Sequence, residues 1–397
     1  MSAPNQITIH DQQLCCGCSA CYSLCPKAAI AMCEDEEGFQ YPQVDRQKCV
    51  DCGLCVQKCP LHAGNHAPET QHFYAVKHGQ EAVRAASSSG GVFSALAEAV
   101  IGRSGIVYGA AYNEDFHVSH IRTAGAEWQK LRSSKYVQSN MGDAFSQVKE
   151  DLQKGNEVLF TGTPCQVAGL KAYLAGMDTS GLLTVDLICH GVPSPKVWRD
   201  YLALLKKKRK KEIGSINFRN KEGCGWHSSN LRIESANGEI MLEKSQKEGF
   251  FFQLFFKHWV IRPSCFSCQY ANLNRVGDLT IGDYWGVENA HPELDDDKGL
   301  SLVLANTAKG QAALEAVASA CEITPIAKTS CMQPQLQAPA ERYGGRDSFW
   351  WSYRNFGLEI AGKRANLLPA RKWEKPLLFL IRMLYKARNK LKKTANH

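Results

Sequence analysis

Two copies of one cysteine spacing, C-x2-C-x2-C-x3-C-P, constrain the chain more than any other feature. Cys15, Cys18, Cys21 and Cys25 precede Pro26, and thirty-four residues on Cys49, Cys52, Cys55 and Cys59 precede Pro60. Three thiolates at this interval can wrap one iron–sulfur cube, while the fourth, turned away by its proline, reaches a second cube. The spacing therefore predicts two 4Fe-4S clusters with crossed ligation, one held by Cys15, Cys18, Cys21 and Cys59, the other by Cys49, Cys52, Cys55 and Cys25. A disulfide framework needs no such regularity, and zinc ribbons pair C-x2-C units across longer gaps. Cys16 and Cys33 fall outside the spacing and read as bystander thiols.

A chain of 397 residues has room for two or three domains. The motif consumes eight of its seventeen cysteines, which argues for a reducing compartment and against a secreted disulfide protein. Met1 to Asp11 is polar, with neither the basic start nor the apolar core of a secretory signal, and no apolar run reaches membrane-spanning length. A cytoplasmic protein is expected. The net charge of +8 is local. Lys206 to Lys211 reads KKKRKK at the end of a helix beginning near Lys196, where cations are favourable, and no aromatic interleaving accompanies it, so no nucleic-acid partner is expected. The tail is apolar from Leu377 to Tyr385 and then basic through Lys386, Arg388, Lys390, Lys392 and Lys393. That pattern fits a helix docked on the protein's own core or one in peripheral contact with a membrane surface.

Past a linker at His62 to Thr70, a second domain is expected from Phe73. Ser87-Ser88-Ser89-Gly90-Gly91 opens a helical stretch, Val92 to Ile101; serines cap helices, and glycines let a ligand approach the backbone amides. Arg132 to Ser139 is a polar, basic loop. Glu157 to Phe160 is a strand running into Gly162-Thr163-Pro164-Cys165-Gln166, a helix follows over Val167 to Ala175, and the strand Leu182 to Ile188 ends at Cys189-His190-Gly191. Ligands of open α/β sheets bind beyond the carboxyl ends of strands, so Cys165 and Cys189 are expected to face one crevice. A hairpin is read around Asn237-Gly238, a half-buried helix over Phe250 to Ile261, a strand over Gly277 to Gly286, and a solvated turn at Asp295 to Asp297. Glu34 to Glu37 reads as an acidic turn inserted into the cysteine-rich module. Cys165, Cys189, Cys265 and Cys268 make a candidate third metal site, with Cys224 in reserve. Such a set can hold a third 4Fe-4S cluster or zinc.

Taken in order, Ser89-Gly90-Gly91, Ser134-Lys135-Tyr136, Gly162 to Gln166, Cys189 to Ser194, the Cys265/Cys268 pair and Gly282-Asp283-Tyr284-Trp285-Gly286 resemble the coenzyme F-420 hydrogenase/dehydrogenase beta-subunit family, in its free-standing bacterial form with a two-cluster ferredoxin domain. The resemblance implies an α+β / α/β chain, with a bacterial-ferredoxin-like module over 1–66, a larger mixed α/β flavin-binding domain over 73–330 and a C-terminal extension over 331–397. It implies an FAD-containing iron–sulfur oxidoreductase, of a kind often associated with surface-polysaccharide gene sets. Ser88, Ser89, Gly90, Gly91, Ser134, Lys135, Tyr136, Gly162, Thr163 and Gln166 would then contact FAD, and Lys135, His190 and Asp283 are the candidates for proton handling. The expected donor is a ferredoxin or a reduced deazaflavin, and the substrate is an unidentified small molecule. The alternative is a non-catalytic electron-transfer subunit feeding a partner enzyme.

Overall fold

The computed structural model describes residue 7, residues 13–62 and residues 71–395. The rest of the Met1–Asp11 stretch, and the linker beyond His62, lie outside the described residues. In the cysteine-rich module two short helices, Ala20–Leu24 and Leu54–Gln57, flank an antiparallel hairpin of β1 (Ile30–Glu34) and β2 (Gln40–Val44). The two copies of the motif share a backbone device. Gly17 and Ser19 in the first, and Asp51 and Gly53 at the equivalent places in the second, all have positive φ, between 52° and 73°. Alternating left-handed residues curl successive N–H groups into an anion-binding concavity of the kind that surrounds iron–sulfur centres.

The larger body is built on β3 (His72–His78), β4 (Ile106–Tyr112), β5 (Val118–Thr123), β6 (Val158–Gly162), β7 (Leu182–Leu187), β8 (Ile213–Asn220), β9 (Asn230–Ser235), β10 (Ile240–Ser245), β11 (Leu279–Asp283), β12 (Ser301–Ala305) and β13 (Cys321–Pro325). Eight of them form one mixed sheet in the order β13-β3-β12-β11-β7-β6-β4-β5. The middle four, β11, β7, β6 and β4, are parallel, and antiparallel strands close both sides. Helices cover both faces of the parallel part, so its strands are apolar at successive positions. Val107, Leu159 and Leu183 pack against Val92–Gly102, while Ile106, Tyr108, Val158, Phe160 and Leu182 pack against Ala144–Gln153 and Pro164–Tyr173. Cys18 and Ala20 join this second layer, so the cysteine-rich module is part of the same core. Gly169 makes room for it: a Cβ there would sit 3.0 Å from the Cys18 Sγ.

A separate antiparallel sheet, β10-β9-β8, packs with the helices Pro195–Arg209, Phe250–Phe256 and Arg346–Arg364 into an aromatic core around Trp198, Phe218, Phe251 and Trp350. The hairpin read around Asn237-Gly238 is its β9–β10 corner. Two expectations change and a third is extended. The helix expected over Phe250 to Ile261 ends at Phe256, where His258 takes φ 59°, and it is buried through Phe251, Phe252 and Leu254 rather than half-buried. The helix expected from Val167 begins at Pro164, because Thr163 and Gln166 form a reciprocal capping box and a proline fits the first turn. The turn at Asp295 to Asp297 is solvated at Asp296 and Asp297 as expected but is also tied to the body: Asp296 receives both Arg84 amino groups at 2.7 and 2.5 Å, and Asp297 accepts from the His227 amide at 2.9 Å. At the end of the helix Pro195–Arg209 the basic run pairs Lys206 with Glu212, Lys208 with Glu359 and Lys211 with Glu239.

Candidate redox site

The eight motif thiols fall into two groups in space. Cys15, Cys18, Cys21 and Cys59 line one end of a cavity of about 1070 Å³, and Cys25, Cys49, Cys52 and Cys55 line a separate small pocket at the periphery. Each group draws three members from one run and the fourth from the other. Burial pushes the Cys21 thiol up to about 12, with Cys15, Cys59 and Cys55 adding to the rise. Thiolates crowded in this way need a cationic centre among them, which is the fit expected of iron–sulfur ligands.

The same cavity gathers the second set. Cys165 lies in the first turn of the helix Pro164–Tyr173, Cys189 follows β7, and Cys265 and Cys268 sit in and just after the turn Pro263–Ser267. Burial and then Cys165 push the Cys189 thiol up to about 12, and the same two causes push Cys268 up to about 11. Cys265 is raised by burial and then by Cys189. Among the described residues no three thiols converge within 4.8 Å. A single zinc, with Zn–S bonds of about 2.3 Å, would draw four sulfurs to about 3.8 Å from one another. The spread set suits a multi-iron centre better than one ion. Cys224 is not in this cavity; its thiol points to the Asn220 carbonyl at 3.5 Å, with Glu243 and Asp297 as its charged neighbours. Cys16, read as a bystander, faces Cys165, and its thiol and then burial push Cys165 up. Cys16 thus joins the two thiol sets.

Arg262 fastens this junction. It is fully buried, donates to the Cys15 carbonyl at 2.8 Å, to the Gln40 carbonyl at 2.9 Å and to Gln138 Oε1 at 3.0 Å, and points a nitrogen at the Cys15 Sγ at 3.9 Å. The guanidinium lies over Tyr41, 4.2 Å from its ring centroid.

Behind the second thiol set lies another cavity, of about 500 Å³, at the carboxyl ends of β6, β7 and β11. Ser88, Ser89, Gly91, Ser134, Lys135, Tyr136, Gly162, Thr163, Gln166, His190 and Asp283 all line it. Gly90 does not, and its role is packing: a Cβ would lie 2.2 Å from the Val76 carbonyl, and its amide is used by Ser301 Oγ at 3.0 Å. The Ser88 hydroxyl accepts from the Ser134 amide at 2.8 Å, tying the serine-rich turn to the basic loop. Lys135 donates to the carbonyls of Lys130 and Arg132 at 2.9 and 2.5 Å, and burial lowers its ammonium to about 7. Tyr136 packs among Phe218, Phe252, Phe255 and Phe256. Gln166 donates to Ser139 at 2.8 Å, and Ser139 is in turn bonded to His120, which burial lowers to about 4.

Asp283 is bound by Arg219 at 3.1 and 3.4 Å and by Trp226 Nε1 at 2.8 Å. Its carboxylate is committed to this clamp. Arg219 lies 4.9 Å from the Trp285 ring centroid and is buried, and its Nε has no partner among the described residues. A buried, unsatisfied guanidinium nitrogen, with Lys135 and Arg132 in the same wall, fits an anionic ligand. His190 accepts from Gln335 at 2.9 Å and meets His258 Nε2 at 2.9 Å; burial and then His258 lower it to about 4. Gln333 donates to the Asp283 carbonyl at 2.5 Å. Gln333 and Gln335 belong to the segment read as a C-terminal extension, and only their contacts reveal them as site residues. Thr163, Cys189, His190, Gly191, Val192 and Phe256 line both cavities, so one wall separates them.

Residues 14–63 match the family model of the 4Fe-4S dicluster domain, and residues 155–329 match that of the C-terminal part of the coenzyme F420 hydrogenase/dehydrogenase beta subunit. No curated protein matches the chain. A chain of the F420-reducing [NiFe] hydrogenase complex from Methanosarcina barkeri, in a xenon-derivatized structure, aligns over 75% of this chain and 91% of its own at 17% identity, with a TM-score of 0.45. By sequence, then, the chain joins an N-terminal stretch matching a 4Fe-4S dicluster domain to a following stretch matching the C-terminal part of the coenzyme F420 hydrogenase/dehydrogenase beta subunit.

Proposed function

We propose that this protein is a flavin-dependent iron–sulfur oxidoreductase with three 4Fe-4S sites and FAD, exchanging electrons between an external one-electron or deazaflavin donor and a small organic molecule. One observation carries the reading: Cys189 and His190 form a wall common to the thiol-lined cavity and the cation-lined cavity. A bound flavin would exchange electrons singly with iron–sulfur centres and in pairs with an organic substrate, which is the chemistry such a junction calls for.

The chain's own residues supply the rest. Arg219 and Lys135 offer positive charge to an anionic cofactor, Phe255 and Phe256 exclude water from one side, and the Ser88–Ser134 bond fixes the two loops that frame the opening. Lys135, lowered to about 7 by burial, can hold or release a proton at Nζ near neutral pH. His190 is neutral at that pH and is oriented by Gln335 and His258.

Anaerobic purification followed by iron and flavin assay tests this. The expected content is about twelve iron atoms and one FAD per chain, with flavin absorbance bleached by a low-potential donor. Protein that holds its iron but binds no flavin sinks the proposal.

A further inference from the structure

The C-terminal helix Lys375–Ala395 is docked by one face only. Ile381 is 1% exposed, and Tyr385 packs on Trp351 with ring centroids 5.4 Å apart and lies 4.9 Å beneath Arg364, which holds the helix against Arg346–Arg364. At about 3.6 residues per turn, the exposed apolar side chains run from Phe379 and Met383, opposite Ile381, round one flank of the helix through Leu380, Leu391 and Leu384 to Leu377, and Trp373 stands in the turn Lys372–Glu374 just before it. Every one of these is exposed, Trp373 by 69% and Leu391 by 70%. An apolar stripe of this length facing water marks a surface that something covers.

Charge identifies the cover. From residue 375 to the end the chain carries Lys375, Arg382, Lys386, Arg388, Lys390, Lys392 and Lys393 and no Asp or Glu. A second copy of the helix would offer these cations no acidic partner. A bilayer with anionic headgroups satisfies both properties: the stripe enters the acyl boundary, the cations meet phosphates, and a tryptophan at one end sits at headgroup level. We propose that this helix lies in the interfacial plane of a membrane containing anionic phospholipid and holds the protein to that surface. The contact is peripheral, since no helix among the described residues is long and apolar enough to cross a membrane.

Co-sedimentation of the full-length holoprotein with vesicles tests the assignment, using phosphatidylcholine alone or mixed with phosphatidylglycerol. The expected result is pelleting with the mixed vesicles at least about tenfold above the neutral ones, suppressed by added salt. Leu380→Glu with Leu384→Glu should abolish it, and Lys386→Glu with Lys390→Glu should lower it by about tenfold or more. A second readout needs no destabilising change: brominated phosphatidylglycerol should quench wild-type fluorescence by a component that Trp373→Phe removes. Wild-type protein that stays in the supernatant, binds both vesicle types equally or shows no Trp373 quenching overturns the proposal. So does light scattering in which the leucine variant turns a wild-type dimer into a monomer, since a second copy would then cover the stripe.

Discussion

Arg262 shows how much one side chain can set in this protein. Its charge lies at Cys15, in the inner motif group, whereas in the outer group the Cys49 thiol faces the Asp51 carboxylate at 3.8 Å. A cation favours the more negative, reduced state of an iron–sulfur centre and an anion disfavours it, so the inner centre should have the higher potential and accept electrons from the outer one. Arg262→Gln should lower the inner potential by on the order of tens of millivolts and leave the outer potential in place. Redox titration followed by electron paramagnetic resonance reads both centres in one sample, and the outer centre serves as the internal control. An unmoved inner potential would reject the electrostatic role. Lys135 makes a second prediction at this scale. Its ammonium is charged below about pH 7 and neutral above it because burial lowers it. Affinity for an anionic flavin should therefore be highest at acidic pH and fall by up to about tenfold per pH unit above 7. Lys135→Met should flatten that profile in equilibrium binding of FAD.

At the scale of elements, the β1–β2 hairpin is the latch between module and body. Glu37 at its tip pairs with Arg346, and Glu36 and Glu34 reach Arg354 and Arg199 at 2.8 and 2.6 Å. Only the first pair is well buried, and burial raises the Glu37 carboxyl despite Arg346. Breaking a buried pair leaves a charge uncompensated, so Glu37→Ala should cost about 3–5 kcal/mol, against about 0–1 kcal/mol for the exposed Glu36→Ala. Anaerobic thermal unfolding of the two variants compares them directly, and equal losses would show that the latch does not rest on Glu37. The sequence pattern disclosed the acidic turn but not its use, since Arg346 lies 309 residues away. The cysteine motif was legible because its chemistry is local, as were the βαβ unit with Cys165 and Cys189 after its strands. The early start of the helix at Pro164 was also legible, through Thr163 and Gln166 three residues apart. Arg262, Gln333 and Gln335 left no local signal. They matter through hydrogen bonds closed over long separations in the chain, 247 residues for Arg262 to Cys15, 145 for Gln335 to His190 and 50 for Gln333 to Asp283.

Across the whole molecule the sites form an ordered series. The Cys25, Cys49, Cys52 and Cys55 pocket is outermost, with Cys52 exposed. The Cys15 group shares a cavity with Cys165, Cys189, Cys265 and Cys268, and that cavity shares a wall with the cation-lined one. On the proposed reading the Cys165, Cys189, Cys265 and Cys268 site stands between the dicluster and the cation-lined cavity, so removing it should disconnect the two without emptying either. Cys265→Ser combined with Cys268→Ser makes this testable. Both residues lie in a short turn outside the sheet, and neither lines the inner cavity, so the fold and flavin binding should survive. Iron should fall from about twelve to about eight atoms per chain, with the dicluster resonance signals and bound FAD unchanged. In stopped-flow mixing with a one-electron donor, the dicluster should still be reduced at the wild-type rate while flavin bleaching slows by orders of magnitude. If the wild-type protein already contains about eight iron atoms and the double variant loses none, the four thiols hold no iron. Flavin reduction at the wild-type rate would then show that electrons pass directly from the Cys15 group to the cation-lined cavity.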